Sequence, residues 1–341
     1  MSSDHKLLYS VPLGSVERRG FYISNSRSSG LSLFMRSLLP REEPSGRPVL
    51  FVHGATLASY LWDIDLAGHS MMEHMAREGR RTYAVDIRGY GGSDKPPEMD
   101  REPGEGPPLV RGQEALEDID QAVEFIRTTT GSEKVDLVGG SWGSITSGMY
   151  ASGPGAGKVR RLVLYAPIFC TPNQDWLEMI ADPESPERVN PNLGSFRWVT
   201  EEEVRRRWDK EIPLAAKDEW RPEQSFKAIV GEALKWDPRG AARNRAAFRA
   251  PNGTLVDLFE AFSGRPLYRP EDIRIPTLLI RGADDPTSTD PDAKALFDKL
   301  GSQIKRYVVV GHGSHFIVAE KNRWQLFSET RNFLDQPELE S

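Results

Sequence analysis

The sequence predicts an α/β fold in which a mostly parallel β-sheet is covered by helices on both faces. Short apolar segments rich in β-branched residues alternate along the chain with longer helical patterns. Strands that alternate with helices form parallel sheets, because each parallel strand needs a long crossover connection. One long interval, residues 168–270, interrupts this alternation and divides the predicted sheet into two parts.

The strands are assigned from continuously apolar runs. Residues 48–54 form such a run, and the glycine that ends it is typical of a buried strand. Residues 81–89 supply the next strand, and residues 15–24 and 31–39 are expected to add antiparallel edge strands. The remaining buried strands are predicted at 135–140, 161–167, 276–282 and 304–310.

Helical patterns fill the intervals between these strands. Residues 60–78 have a helical pattern that stops at Gly79. A second helix is predicted over 113–130, because its apolar residues recur on one face. A third begins close to Ser141. The apolar face of the second helix consists of Leu116, Ile119, Val123 and Ile126.

The interval 168–270 is interpreted as a mainly helical insertion over one end of the sheet. It is rich in charges and tryptophan, and a structureless loop of this length is unusual in a compact protein. The core is then formed by residues 1–167 and 271–341. We expect the five tryptophans of the insertion to line an apolar pocket between it and the sheet. These are Trp176, Trp198, Trp208, Trp220 and Trp236.

Composition excludes several classes of function. The net charge is only -6, from 50 acidic and 44 basic residues, and lacks the basic excess of a nucleic-acid-binding protein. The one cysteine, Cys170, fits a reducing compartment. No run approaches the ~20 apolar residues of a membrane-spanning helix, and the first residues do not resemble a secretory signal. We therefore expect a cytoplasmic protein with a small-molecule substrate and neither a nucleic-acid nor a membrane partner. The oligomeric state stays open, a homodimer included.

The strongest chemical signal is a Gly-x-Ser-x-Gly motif, Gly139 to Gly143, between a predicted strand and a predicted helix. A serine on such a tight turn projects its hydroxyl from the sheet, and small residues on either side let neighbouring chain segments pass closely. The motif predicts Ser141 as a nucleophile. A glycine-rich turn without catalysis is the alternative.

A second motif, His53-Gly54-Ala55-Thr56, follows an earlier strand. In this architecture a backbone N–H from that loop and one from the residue after the nucleophile form an oxyanion hole. Ala55 and Trp142 are the predicted donors. The His53 side chain is expected to brace the loop rather than to react.

A serine hydroxyl needs a base, and a loop with two histidines follows the last predicted strand. We prefer His315 to His312 because it lies where the loop turns toward the C-terminal helix, near Ala319. The two histidines lack a third metal ligand at suitable spacing, so no metal site is expected.

The imidazole in turn needs a carboxylate to fix its tautomer. Asp285 follows the strand before the histidine loop and lies three residues past Gly282, far enough to turn back toward the histidine. Asp284 is the alternative. The end of the 161–167 strand offers no acid.

The chain order Ser, Asp, His and its setting resemble the α/β-hydrolase superfamily. The resemblance covers nearly the whole chain outside 168–270 and includes the run Asp86–Asp94 as well as the motifs above. It implies an eight-stranded sheet, a cap inserted after the sixth strand, and no cofactor. The interval 168–270 falls where such a cap is inserted.

Resemblances to single subfamilies are partial. The elbow around Ser141 is similar to that of proline iminopeptidases, which usually carry an HGGPG loop where this chain has His53 to Leu57. The run from His53 to Trp62 is similar to haloalkane dehalogenases and epoxide hydrolases, whose nucleophile is an aspartate. The serine therefore argues against both of those activities.

The leading expectation is a serine hydrolase that cleaves a carboxylic ester or lactone through an acyl-enzyme. The alternatives are an aminopeptidase or amidase and a hydrolase of carbon–carbon bonds. A binding protein that keeps the fold without catalysis is less expected, because all three residues of the triad pattern are present.

Overall fold

A computed structural model describes residues 5–24 and 30–337. The predicted core segments also include residues 1–4, 25–29 and 338–341, which lie outside the described residues. The strands of the described chain are β1 (His5–Leu13), β2 (Val16–Ser24), β3 (Ser32–Pro40), β4 (Val49–Val52), β5 (Thr82–Val85), β6 (Val135–Gly140), β7 (Val159–Tyr165), β8 (Ala181–Asp182), β9 (Ser185–Val189), β10 (Phe196–Thr200), β11 (Ala247–Pro251), β12 (Thr277–Gly282) and β13 (Lys305–Val310).

The α-helices of the described chain alternate with these strands over most of its length. They are α1 (Met71–Arg77), α2 (Gly112–Thr130), α3 (Trp142–Ser152), α4 (Gln174–Ile180), α5 (Glu201–Glu211), α6 (Glu223–Lys235), α7 (Pro238–Ala241), α8 (Gly253–Phe262), α9 (Asp290–Lys299) and α10 (Arg323–Leu334). None of the helices in the described ranges has the length and apolar character that crossing a membrane requires.

The central sheet confirms the predicted α/β fold. Its strand order is β1-β2-β3-β5-β4-β6-β7-β12-β13. The six strands from β5 to β13 are parallel, whereas β1, β2 and β3 form an antiparallel edge. Every residue of β4, β5, β6 and β12 is buried, so both faces of the sheet are covered there.

Two details differ from the sequence-based expectation. The sheet has nine strands rather than eight, because β1 pairs with β2 at the edge. Most residues of β1 are exposed, so it lacks the apolar pattern that identifies a buried strand. The insertion therefore follows the seventh strand of the chain, β7, which is the sixth strand of the predicted set.

The predicted helix over 60–78 is mostly wrong. Only a 3-10 turn, Ser59–Leu61, and helix α1 form there. Arg18 of β2 pairs with Asp63 and Asp65, which draws the intervening segment against the sheet as a loop. Ser70 then caps α1 by accepting a hydrogen bond from the Glu73 N–H.

The segment 168–270, hereafter the inserted segment, adds no strand to the central sheet. Besides helices it contains two small antiparallel pairs, β8–β9 and β10–β11, which a mainly helical expectation did not include. Strand β11 is entirely buried although it contains Arg249. Asp237 neutralises that charge at 3.0 Å, so burial there depends on a tertiary ion pair rather than on an apolar run.

Several tryptophans of the inserted segment pack on the core. Trp208 stacks on Phe316 with ring centroids 4.8 Å apart, and Trp236 lies 4.6 Å from the Phe34 ring. Trp220 contacts the His312 ring edge-on. These aromatic contacts join the inserted segment to the core beside the predicted site.

Candidate active site

Ser141 occupies the sharp turn between β6 and α3. Its backbone angles are φ 59° and ψ −124°, outside the regions that a non-glycine residue normally adopts. The Ser141 N–H donates to the Tyr165 carbonyl of the neighbouring strand at 2.9 Å. Strained backbone of this kind persists only where its surroundings hold it, and it is concentrated at functional sites.

The flanking glycines are required by close approach of the backbone. A Cβ atom on Gly139 would lie 2.2 Å from the Gly143 carbonyl oxygen, and one on Gly143 would lie 2.5 Å from that of His53. Both distances are far inside van der Waals contact. The Gly-x-Ser-x-Gly spacing is therefore a steric requirement of this turn.

Ser141, His315 and Asp285 form a continuous chain of hydrogen bonds. The Ser141 Oγ lies 2.9 Å from His315 Nε2, and His315 Nδ1 lies 2.8 Å from Asp285 Oδ2. An ionised carboxylate only accepts, so Nδ1 carries the proton and Nε2 is free to accept one from the serine. Ser141 is partly exposed, whereas the other two residues are buried.

The second oxygen of Asp285 fixes the orientation of the carboxylate. Its Oδ1 accepts hydrogen bonds from the backbone N–H groups of Thr287 at 2.8 Å and Ser288 at 2.9 Å. Burial alone would raise the pKa of this carboxyl. The charge of His315 and the hydrogen bonds from His315, Ser288 and Thr287 outweigh burial and lower the pKa of Asp285, which keeps it ionised.

The two alternative residues lie apart from this chain. Asp284 and His312 are both exposed, and the His312 ring packs on Trp220. The structure thus brings together the three residues preferred from the sequence and neither alternative.

Buried groups that sequence reasoning missed hold the histidine loop. Glu320 accepts hydrogen bonds from the Ser314 hydroxyl at 2.6 Å and the Ser314 N–H at 3.0 Å. The Tyr165 hydroxyl donates to the His315 carbonyl at 2.5 Å. The Tyr165 contact joins residues far apart in the chain, whereas Glu320 lies six residues after Ser314.

The inserted segment also supports the histidine loop, through helix α5. Glu211, the last residue of α5, accepts a hydrogen bond from the His315 N–H at 3.1 Å. Trp208 donates its indole N–H to Glu320 at 2.8 Å. Burial raises the pKa of Glu211, and the nearby charges of Arg207 and His315 oppose that rise.

The loop after β4 lies directly against the serine. A Cβ atom on Gly54 would lie only 3.0 Å from the Ser141 Cβ, so a larger residue would crowd the serine. The Trp142 N–H, at the first position of α3, has no acceptor within its own helix. Within residues 5–24 and 30–337, neither the Ala55 nor the Trp142 N–H donates to another group. Both N–H groups are thus free to bind an anion.

The His53 side chain braces this loop, as expected. Its Nε2 accepts from the Ile87 N–H at 3.0 Å, so Nδ1 carries the proton and donates to the Gly54 carbonyl at 2.8 Å. Burial lowers the pKa of His53, which keeps the ring neutral. The Gly54 carbonyl and the Ala55 N–H share one peptide unit, so this hydrogen bond orients the predicted oxyanion donor.

The Ala55 carbonyl has two further donors that the sequence did not predict. The Tyr90 hydroxyl donates to it at 2.8 Å and the Arg197 Nη2 at 2.9 Å. On the other side of the serine, Asp257 of α8 accepts from the Trp142 indole N–H at 2.9 Å. Residues of the inserted segment therefore contact both sides of the predicted oxyanion hole.

Comparison with known proteins agrees with this architecture. Solved structures that the chain is similar to include a thermophilic esterase from Thermogutta terrifontis, at 16% identity, 96% coverage of this chain and 98% of that one, and a TM-score of 0.61. The epoxide hydrolase VrEH1 from Vigna radiata is 17% identical, with 95% of this chain and 99% of that one covered and a TM-score of 0.61. A hydrolase from Pseudomonas aeruginosa PA01 is 18% identical, with 98% of this chain and 100% of that one covered and a TM-score of 0.60. At these identities the likeness is one of fold. The family model of the alpha/beta hydrolase fold matches residues 47–322, most of the chain, and the chain therefore belongs to the α/β-hydrolase fold family.

Proposed function

We propose that this protein is a serine hydrolase that cleaves a carboxylic ester or lactone through an acyl-enzyme intermediate. The observation that carries the proposal is the hydrogen-bonded chain from Ser141 Oγ through His315 to Asp285, with distances of 2.9 Å and 2.8 Å. A nucleophile, a base and an orienting acid in this order are the requirements of acyl transfer by serine.

The proposed reaction has two stages. His315 accepts the hydroxyl proton as Ser141 attacks the carbonyl carbon, and the Ala55 and Trp142 N–H groups bind the oxyanion that forms. The tetrahedral species collapses when His315 returns the proton to the departing alcohol oxygen. Water, activated by the same histidine, then attacks the acyl-enzyme and releases the acid. Asp285 stabilises the imidazolium at each stage.

We further propose that the inserted segment is a cap over the active site. It contacts the histidine loop through α5 and the oxyanion loop through β10. Trp176 and Phe316 provide aromatic surface beside the histidine, with Arg207 between their rings. This surrounding favours a small to medium, partly apolar substrate.

The main alternative is an aminopeptidase or amidase. Recognition of an N-terminal amine needs a carboxylate that is available to the substrate. Of the acids that the inserted segment brings near the site, Asp257 already accepts from the Trp142 indole N–H, and Glu211 lies beside the histidine loop. Its oxygens already face the His315 N–H at 3.1 Å and Arg207 at 3.6 Å. This arrangement supports an ester or lactone over an amine substrate. A hydrolase of carbon–carbon bonds would use the same three residues.

Turnover of a chain-length series of p-nitrophenyl esters and of proline p-nitroanilide tests the proposal. We expect ester turnover that falls to the uncatalysed rate in Ser141→Ala, with an unchanged far-UV spectrum and melting temperature. Near-normal ester turnover in that variant would refute the assignment of the nucleophile. Turnover of the anilide alone would replace the esterase proposal with the aminopeptidase.

A further inference from the structure

Arg197 joins strand β10 of the inserted segment to the loop that bears Ala55, through its guanidinium group. Its Nη2 donates to the Ala55 carbonyl at 2.9 Å and to the Thr56 hydroxyl at 3.0 Å. Its Nη1 donates to the Pro251 carbonyl at 3.0 Å and to the Asn252 side chain at 3.1 Å. One end of the guanidinium thus holds the core loop and the other end holds the inserted segment.

All the acceptors of this guanidinium are neutral. Within the described ranges no carboxylate lies in ion-pair distance of Arg197, whereas Arg221 and Arg249 of the same segment are paired with Asp209 and Asp237. Burial lowers the pKa of Arg197 and the charge of Arg207 adds to that effect, while Tyr90 and the charge of Glu203 oppose it. The Arg197 side chain is only partly buried, and its hydrogen bonds to neutral groups hold the guanidinium between the loop and the inserted segment.

The hydrogen bond from Arg197 to the Ala55 carbonyl acts on the residue whose N–H is the proposed oxyanion donor. The peptide units before and after the Ala55 Cα are both anchored through their carbonyls. The Gly54 carbonyl accepts from His53 Nδ1, and the Ala55 carbonyl accepts from the Tyr90 hydroxyl and Arg197. The direction of the Ala55 N–H is set by these two anchors, because the peptide planes on both sides of the residue are fixed. An oxyanion donor is useful only when it is held in place before charge develops.

We propose that Arg197 is a positioning residue that fixes the oxyanion loop against the inserted segment, so that the Ala55 N–H points at the reacting carbonyl. The inference rests on the proposed acyl-transfer function. Arg197 acts through Ala55 and does not itself take part in proton transfer. Its loss should therefore weaken binding of the transition state more than binding of the substrate.

The test compares Arg197→Lys and Arg197→Met with the wild-type protein, using p-nitrophenyl butyrate. Removal of an oxyanion donor lowers kcat by roughly 10²–10³-fold, and a displaced donor should cost less, roughly 10–100-fold, with KM nearly unchanged. Both variants should be impaired, because lysine keeps the charge but cannot hydrogen-bond the loop and the inserted segment at once with a planar fork. The inhibition constant of an alkylboronic acid, which forms a tetrahedral anion on the serine, should rise in parallel with the loss of kcat/KM.

Two further variants guard against a trivial loss of folding. Tyr90→Phe removes the other donor to the Ala55 carbonyl, and should also lower kcat with little change in KM. Arg243→Met removes an exposed arginine that packs on Trp198, and should leave kcat and KM unchanged. Melting temperatures of all variants separate an unfolded protein from a misaligned loop.

The outcomes are distinct. A raised KM at constant kcat in the Arg197 variants would overturn the proposal and make Arg197 a substrate-binding residue. Full activity of Arg197→Lys would overturn it in favour of a purely electrostatic role.

If the wild-type protein turns over no ester, labelling of Ser141 by a fluorophosphonate becomes the readout. Equal labelling rates in wild type and Arg197→Met would then exclude the positioning role. A wild-type protein that also resists the fluorophosphonate would refute the proposed function and this inference with it.

Discussion

Asp285→Asn is the most informative substitution at this site, because the two oxygens of the carboxylate have different partners. Oδ1 accepts two backbone N–H groups, from Thr287 and Ser288, and Oδ2 accepts from His315 Nδ1. An asparagine of the same shape has only one oxygen. Its NH₂ group must therefore face either the two backbone N–H groups or His315.

The two backbone donors favour the orientation in which the amide oxygen faces them. Turning the NH₂ group toward Thr287 and Ser288 would lose two hydrogen bonds and leave two buried donors unsatisfied, at a cost of about 1–3 kcal/mol each. The alternative orientation points the NH₂ group at His315, which must then present an unprotonated Nδ1 and carry its proton on Nε2. In that tautomer the histidine donates to Ser141 and cannot accept its proton. The substitution therefore removes the base without removing a side chain.

We expect kcat for p-nitrophenyl butyrate to fall by roughly 10⁴-fold, as tautomer reversal does in serine proteases. At about 1.36 kcal/mol for each tenfold change in rate, this corresponds to about 5.4 kcal/mol of transition-state stabilisation. Asp284→Asn is the matched control. The same chemical change one residue earlier affects an exposed side chain and should alter kcat by less than about twofold. An Asp285→Asn protein that keeps more than a tenth of wild-type activity, or an Asp284→Asn protein that is the more impaired, would refute the tautomer argument.

Two further predictions concern the histidine loop and the inserted segment. His315→Ala should abolish ester turnover, whereas His312→Ala, which alters an exposed ring, should keep most of it; the reverse result would exchange their roles. Hydrogen bonds from Arg205 and Arg221 lower the pKa of Glu223 from its ordinary 4.5 to about 2, so its contribution to stability is present above pH 4.5 and lost as the pH falls toward 2. Because the Glu223 carboxylate is more than a third exposed, Glu223→Gln should lower the stability at pH 7 by less than about 1 kcal/mol. The gap in melting temperature between the two proteins should narrow as the pH falls from 5 to 3. A gap that does not change with pH would mean that the carboxylate charge is not the stabilising group.

The parts of the molecule that the sequence predicted well are those with a local physical cause. The elbow at Ser141 requires glycine two positions before and after it because the carbonyls of Gly143 and His53 leave no space for a Cβ atom. Strand β6 is recognisable because all its residues are buried in a parallel sheet and, Asp136 apart, none of them is charged or polar. Fold and nucleophile are therefore readable from short stretches of sequence.

The parts that were missed depend on tertiary partners. Segment 62–70 looks helical by periodicity, but ion pairs between Arg18 and both Asp63 and Asp65 hold it as a loop. Strand β11 contains the charged residue Arg249, whose counter-ion, Asp237, caps the start of helix α7. Glu320 is a buried acid that satisfies an N–H and a hydroxyl of Ser314. Each of these features is decided by a pairing that periodicity and composition do not encode.

Two supports of the site drawn from the inserted segment, Arg197 and Glu211, lie in one continuous unit. Strand β10 carries Arg197 to the oxyanion loop, and helix α5, which begins directly after it, carries Glu211 to the histidine loop. The junction is fixed by a capping box in which Thr200 and Glu203 exchange hydrogen bonds. A rigid strand–helix unit that contacts both loops fixes their separation, and with it the distance from the oxyanion donor to the base. We infer that residues 196–211, together with Asp257, which accepts from the Trp142 indole N–H, must keep their geometry for any substrate.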